Sequence, residues 1–133
     1  MTDSYTTGNS VITDGVNVPT DGAKPIVNTV TTQDADADGS VDRAEVTFSE
    51  NISDASLVAA NFEIGDVVVT GASTTSCAGD ATANDNKACF TLTNGTEATG
   101  TNLKTFDVVG TGLQDANGNA IALLNDAGLT KTD

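Results

Sequence analysis

An acidic segment in the first half of the chain carries the residues best suited to chemistry. It reads DADADGSVDRAE and places carboxylates at alternate positions before Gly39 and again after it. This spacing matches the twelve-residue calcium-loop pattern, in which alternate acidic side chains turn toward one point and a glycine allows a sharp bend. Calcium prefers hard oxygen ligands, which carboxylates and backbone carbonyls supply. The sequence therefore predicts a Ca²⁺ site with these candidate ligands: Asp34, Asp36, Asp38, Ser40, Asp42 and Glu45.

The candidate ligands have different parts in this prediction. The first three aspartates are expected to bind directly, Ser40 through its backbone carbonyl, and Asp42 directly or through water. Glu45 falls in a strand-like alternation, so its side chain can equally point away from the ion. Magnesium is the lesser candidate, because it demands near-octahedral geometry and retains its waters. The alternative interpretation is a solvated acidic turn with no bound ion.

Charge and composition exclude several classes of function. The chain has 19 acidic against 5 basic residues, a formal net charge of −14, and no histidine. This balance repels nucleic-acid phosphates and anionic membranes, and it attracts cations. The lack of histidine removes Ser-His-Asp and Cys-His nucleophiles and the common zinc sites. A paired-carboxylate glycosidase would need a larger scaffold and a sugar cleft walled by aromatic residues, which make up only 4% of the chain, so we expect no enzyme. No apolar run approaches the roughly 20 residues that cross a bilayer, so we expect no direct membrane insertion.

The two cysteines, Cys77 and Cys89, flank a polar stretch that must fold back on itself. A disulfide between them fits this spacing and would stabilise the fold by roughly 3 kcal/mol on the chain-entropy model. Such bonds persist in oxidising, extracellular settings. Two buried free thiols are the alternative. A second oxygen-rich turn, at Asp115, Asn117 and Asn119, is expected to set a chain reversal or to hold a weaker cation.

The segments that position these residues are predicted to be short strands. Ala44, Val46 and Phe48 alternate with polar residues, which predicts a strand with one apolar face directly after the acidic loop. Residues 54–61 predict a helical turn with Asp54 as its cap and with Leu57 and Val58 packed beneath it. Further strands are expected at residues 26–30, 62–64, 67–70, 88–93, 103–108 and 120–124, with a loose hairpin at Asn94-Gly95.

About seven short strands with no alternating helices predict an all-β, antiparallel two-sheet sandwich, with a jelly roll as the alternative. The 133 residues suit one domain. We assign residues 25–133 to this domain, including the calcium loop, and residues 1–24 to a linker or an N-terminal strand-donating tail. Residues 10–13 and 16–18 are the short strand candidates in that tail.

Three short segments of the chain stand out by their order and spacing. They are Val46-Thr47-Phe48-Ser49-Glu50-Asn51-Ile52, Ala59-Ala60-Asn61-Phe62 and Leu113-Gln114-Asp115-Ala116-Asn117-Gly118-Asn119. Together they resemble bacterial immunoglobulin-like domains that are repeated in S-layer proteins and large surface adhesins. The resemblance covers about residues 25–124, and in that family an acidic D-x-D-x-D-G loop often precedes the strand that contains Phe-Ser-Glu. The resemblance implies an immunoglobulin-like, non-catalytic, extracellular cell-surface module, repeated in tandem and stiffened by calcium at Asp34, Asp36, Asp38 and Asp42. The cysteine pair is not part of the family's pattern.

These observations favour a structural surface module whose partners are calcium and neighbouring copies of the same domain. Two alternatives remain open. The chain is a filament subunit if residues 8–18 add as a strand to a neighbour's sheet edge. It is an adhesin if loops at one end of the sandwich bind a carbohydrate or a protein, although the sparse aromatic residues argue against sugar stacking.

Overall fold

The computed structural model describes residues 21–64, 67–92, 105–125 and 130–132. Within these ranges the chain is built of short strands and two 3-10 turns, which confirms the all-β prediction. The turns are Asp54–Ser56 and Ala59–Asn61. The strands are β1 (Val27–Gln33), β2 (Arg43–Phe48), β3 (Phe62–Ile64), β4 (Val67–Val68), β5 (Gly71–Ser73), β6 (Lys87–Thr91), β7 (Phe106–Val108), β8 (Leu124–Asn125) and β9 (Thr130–Thr132).

The strands form two sheets. One has the order β5-β6-β2-β1-β9 and the other the order β4-β3-β7-β8. All pairs are antiparallel except β1 with β9, which run parallel. Strands β1 and β2 stay paired up to Gln33 and Arg43, so the acidic loop closes that end of the β1–β2 ladder.

The core lies between the two sheets and is rich in phenylalanine. In β2 the side chains of Ala44, Val46 and Phe48 are fully buried, as the period-two pattern predicts. Phe90, from the five-stranded sheet, contacts two rings of the other sheet, with centroid distances of 4.6 Å to Phe62 and 6.0 Å to Phe106. These ring contacts connect the two sheets. Aromatic pairs at such distances add stability beyond that of their buried area.

The predicted hairpin between β6 and β7 is wrong. Strand β6 pairs with β2 and β5, whereas β7 pairs with β3 and β8 in the other sheet. Phe106 and Val108 are nevertheless buried, as expected. Their alternation predicts which face of β7 is apolar, but it carries no information about the neighbouring strand. The Asn94-Gly95 turn itself lies outside the described residues.

The helical segment at residues 54–61 is only partly as predicted. Ser53 is the N-cap and Asp54 lies inside the first 3-10 turn, so Asp54 is not the cap. Leu57 packs against the core, but Val58 is 51% exposed. Val58 is the extended N-cap residue of the second turn, which directs its side chain away from the core.

Residues 21–26 run along the domain and bond to it. The Ile26 N–H donates to Ser49 Oγ, the Ser49 N–H donates to Ile26 O, and the Ala122 N–H donates to Pro25 O. The strand candidates at residues 10–13 and 16–18, and the strand-donating tail as far as residue 20, lie outside the described residues. No helix within the described ranges has the length and apolar character that a bilayer crossing requires.

Candidate metal centre

The acidic loop is tied to the sheet at its C-terminal end. The Asp42 N–H donates to Gln33 O (2.9 Å), and the Leu92 N–H donates to Asp42 O (2.8 Å). Val41 is 2% exposed and packs in the core. As predicted, strands flank the loop on both sides. The C-terminal end of the loop is therefore held by hydrogen bonds to β1 and to Leu92, the residue that follows β6.

Hydrogen bonds inside the loop draw its backbone around the carboxylates. Asp42 Oδ2 accepts from the N–H groups of Ala35 (2.7 Å) and Asp36 (3.3 Å). Asp34 accepts from the Asp38 N–H at Oδ1 (3.1 Å) and from the Gly39 N–H at Oδ2 (2.8 Å). Gly39 has a φ of 91°, a conformation that glycine adopts without steric cost. The bend predicted at Gly39 is present.

Three carboxylates meet in this loop. One oxygen from each of Asp34, Asp36 and Asp42 lies within 4.8 Å of the other two. No Lys or Arg in residues 21–64, 67–92 or 105–125 forms an ion pair with them. The pKa of Asp36 is raised by burial and by the negative charges of Asp38 and Asp42. A cation at the centre of this group would offset that repulsion, and oxygen ligands at such spacing fit the 2.3–2.6 Å bonds of calcium.

The structure places the other predicted ligands differently. Asp38 Oδ1 accepts from the Ser40 N–H (2.8 Å), and Asp38 is not part of the three-carboxylate group. Glu45 lies in β2, where its Oε2 accepts from the Cys77 N–H (3.1 Å) and its Oε1 is 3.9 Å from Lys87 Nζ. Glu45 thus faces the cysteine loop rather than the aspartates.

The predicted disulfide between Cys77 and Cys89 is confirmed. It joins the start of the 77–86 loop to β6, directly beside the β2 residue Glu45, which pairs with Cys89. The Ser76 side chain, 4% exposed, accepts from the Asp80 N–H and begins the turn inside this loop. The disulfide therefore holds the long polar loop at residues 77–86 against the five-stranded sheet.

A second acidic group, which the sequence did not predict as a whole, joins Asp21, Glu50 and Asp115. Asp115 is 4% exposed, and it accepts from the backbone N–H groups of Asn117 and Asn119 and from Asn119 Nδ2 (2.7 Å). Burial would by itself raise the pKa of Asp115, but these donors, foremost the Asn119 amide, hold it below its usual range. The oxygen-rich turn is thus a well-bonded chain reversal around an ionised carboxylate.

The other two carboxylates are brought to this turn from distant parts of the sequence. Asn119 Nδ2 also donates to Asp21 O (3.0 Å), which holds the segment before β1 against the turn. The pKa of Glu50 is raised by burial, by the charges of Asp21 and Asp115 and by the hydrogen bond that the protonated Glu50 carboxyl donates to Asp21. The sequence signal for this group was limited to Asp115, because no local spacing relates residues this far apart.

An open groove of ≈ 440 Å³ crosses the face of the four-stranded sheet opposite the core. Glu63 and Asp107 lie opposite each other across β3 and β7 there, and Asp107 Oδ1 is buried without a hydrogen-bond partner among the described residues. The remaining lining is aliphatic and includes the exposed side chains of Val109 and Leu123. The described lining lacks an aromatic ring on which a sugar would stack.

No family model, no curated protein and no solved structure matches this chain.

Proposed function

We propose that this chain is a non-enzymatic, extracellular structural module with an immunoglobulin-like sandwich, stabilised by calcium at the acidic loop. The observation that carries the proposal is the convergence of Asp34, Asp36 and Asp42 within 4.8 Å on a loop that matches the calcium pattern. Asp38 and the Ser40 carbonyl belong to the same loop and are the next candidate ligands. Calcium there would cross-link the connection between the adjacent strands β1 and β2.

The position of the site supports a structural role. The three carboxylates lie at the end of a ladder within the five-stranded sheet, and the chain contains no histidine to act as a proton shuttle near neutral pH. An ion bound there adds stability by mass action, because the unfolded loop has no preformed site. The Cys77–Cys89 bridge supports an oxidising, extracellular location.

Tandem copies of the same domain are the proposed partners. The resemblance of the segments around Phe48-Ser49-Glu50 and at residues 115–119 to domains that are repeated in surface proteins supports a cell-surface array in which one copy follows another.

The test is a calcium titration of thermal unfolding. With free calcium at a hundred times its dissociation constant, the folded state gains about 2.7 kcal/mol, which for a domain of this size raises the midpoint by about 10 °C. Magnesium at the same concentration is the control and is expected to give a smaller shift. An unchanged midpoint between calcium and chelator would overturn the proposal.

A further inference from the structure

Two carboxylates face the groove on the outer side of the four-stranded sheet. Glu63 and Asp107 lie directly opposite each other across β3 and β7, a position in which Cβ atoms are about 5 Å apart and like charges repel. No Lys or Arg in residues 21–64, 67–92 or 105–125 forms an ion pair with either side chain. Asp107 Oδ1 is buried without a hydrogen-bond partner among the same residues, so solvent does little to offset its charge. The groove therefore favours a bound cation.

The aliphatic side chains of the groove indicate what kind of cation fits. Val109 is 49% exposed and Leu123 is 61% exposed, and both line the groove beside the acidic pair. A metal ion gains nothing from such a wall, whereas the aliphatic stem of a lysine and an apolar neighbour bury area against it. The groove thus suits a protein segment that presents a lysine and an aliphatic residue side by side.

The segment before β1 presents this combination on the surface. Lys24 and Ile26 are both exposed, whereas Pro25 between them is buried. Lys24 forms no ion pair with an acidic residue of the described ranges. The backbone around the two side chains is fixed, because Pro25 O accepts from the Ala122 N–H (3.2 Å) and the Ile26 N–H donates to Ser49 Oγ (3.1 Å). A fixed segment loses little conformational freedom when it binds, which lowers the cost of association.

We propose that Lys24 and Ile26 of one copy of this chain dock in the groove of a second copy. The ammonium group lies between the two groove carboxylates, and the isoleucine packs against the exposed aliphatic side chains. Each copy has one surface of each kind, so such contacts link successive copies in a row. This inference rests on the proposed partnership between copies, for which it names the contact, and it does not depend on calcium.

Repulsion between copies limits the strength of this contact. Each copy has a formal net charge of −14, and the repulsion between exposed charges extends over about 8 Å at 0.15 M salt. The contact is therefore weak between separate chains. Copies joined by a short flexible linker meet at an effective concentration in the millimolar range. A dissociation constant of about 1 mM or tighter is thus sufficient in an array.

Sedimentation equilibrium of the full chain tests the docking, at concentrations up to about 1 mM, the effective concentration in an array. The buffer contains 0.15 M NaCl and a chelator, and urea unfolding confirms that each variant is folded. We expect the wild type to self-associate and Lys24→Glu to weaken the association at least about tenfold, as for loss of a close charge pair. Lys87→Glu makes the same charge change on the five-stranded sheet and is expected to leave the association unchanged.

Neutral substitutions separate the contact from net charge. If repulsion alone matters, Asp107→Asn strengthens the association, because it removes a negative charge from an acidic chain. Docking predicts the opposite, a weaker association, whereas Asp80→Asn in the cysteine loop does not weaken it. Because the two groups contact each other, the double variant Lys24→Gln/Asp107→Asn is expected to be at least about twofold stronger in association than the two single effects predict when added.

The apolar half of the contact has its own variants. Ile26→Ser and Leu123→Ser change side chains that are 49% and 61% exposed, so neither opens the core. Each removes aliphatic area from one side of the docked pair and is expected to weaken the association without a change of charge. Unchanged association in both variants overturns the docking.

The remaining outcomes also decide the inference. A wild type that stays monomeric up to about 1 mM, or an Asp107→Asn variant that associates more strongly, overturns the docking. Association that is weakened by Asp107→Asn but kept by Lys24→Glu means that another segment occupies the groove, which overturns the assignment of Lys24. The calcium titration of unfolding tests the calcium site separately, because self-association is measured in chelator. Each of the two proposals therefore stands or fails without the other.

Discussion

The conformation of the acidic loop can be tested without calcium, because substitutions at Gly39 and Ala37 change its backbone strain. Gly39 has a φ of +91° and nothing lies within 4 Å of an added Cβ, so Gly39→Ala changes backbone strain rather than packing. A side chain in the left-handed region costs about 1–2 kcal/mol, and restricting the unfolded chain returns about 0.4–1 kcal/mol of that. We expect Gly39→Ala to lower the free energy of unfolding by about 1 kcal/mol.

The reverse change is available two residues earlier. Ala37 has a φ of 60°, so Ala37→Gly relieves strain and is expected to raise the free energy of unfolding by about 0.5 kcal/mol. Urea unfolding in the presence of a chelator measures both effects without contributions from calcium. Gly22→Ala is the matched control, because Gly22 has no positive φ and no atom within 4 Å of an added Cβ. If both loop variants leave the urea midpoint where it was, the loop is not held in this conformation.

The remaining predictions concern the carboxylates and the core. Asp42→Asn should weaken calcium binding by at least about tenfold in a calorimetric titration. Asp80→Asn, in the exposed cysteine loop, removes the same charge and should leave the affinity unchanged. Equal losses of affinity in the two variants would mean that net charge, rather than binding by Asp42, sets the affinity. The raised pKa of Glu50 means that the folded chain binds this proton more tightly than the unfolded chain, so calcium-free stability falls as the pH rises above the ordinary value of 4.5. Glu50→Gln should therefore be more stable than the wild type in urea at about pH 7 and equal to it near pH 4, and a difference that persists at the lower pH would refute this. Phe90→Ala should cost about 3–5 kcal/mol, because it removes a ring that contacts both Phe62 and Phe106, and Val109→Ala at an exposed site about 0.5 kcal/mol or less; a Phe90→Ala loss no larger than that would contradict the described core.

Features set by neighbouring residues could be predicted from the sequence. Strand β2 shows its buried face through Ala44, Val46 and Phe48, because side chains alternate between faces every residue. The bend at Gly39 and the meeting of Asp34 with Asp36 likewise depend on spacing within one short loop. The disulfide followed from there being only two cysteines, which left one possible intramolecular pairing.

Features set by distant contacts could not be predicted. The alternation in β7 marks Phe106 as buried but does not select β3 rather than β6 as its neighbour. Strand β9 has a polar sequence and is placed by parallel pairing with β1. Glu50 and Asp21 join Asp115 only after the segment before β1 has bonded to the 115–119 turn. Each of these contacts depends on sheet topology, which local patterns leave undetermined.

At Glu45 the calcium-loop pattern and the strand alternation make opposite predictions for the side chain. The direction that the side chain takes affects the expected calcium affinity. In the helical form of the loop the twelfth position supplies a bidentate glutamate, because the backbone curls back toward the ion. Here that position lies in β2, where Ala44 and Val46 occupy the buried face and Glu45 must take the opposite one.

A strand also advances about 3.3 Å per residue, which carries Glu45 away from the aspartates and toward the Cys77 N–H. Loss of a charged bidentate ligand weakens a calcium loop, because affinity follows ligand charge and rigidity. We therefore expect a dissociation constant of about 10⁻⁴–10⁻³ M, the range of extracellular modules. A submicromolar value in the oxidised wild type would mean that Glu45 leaves Cys77 and joins the ion, and the Glu45→Gln variant would then lose most of that affinity.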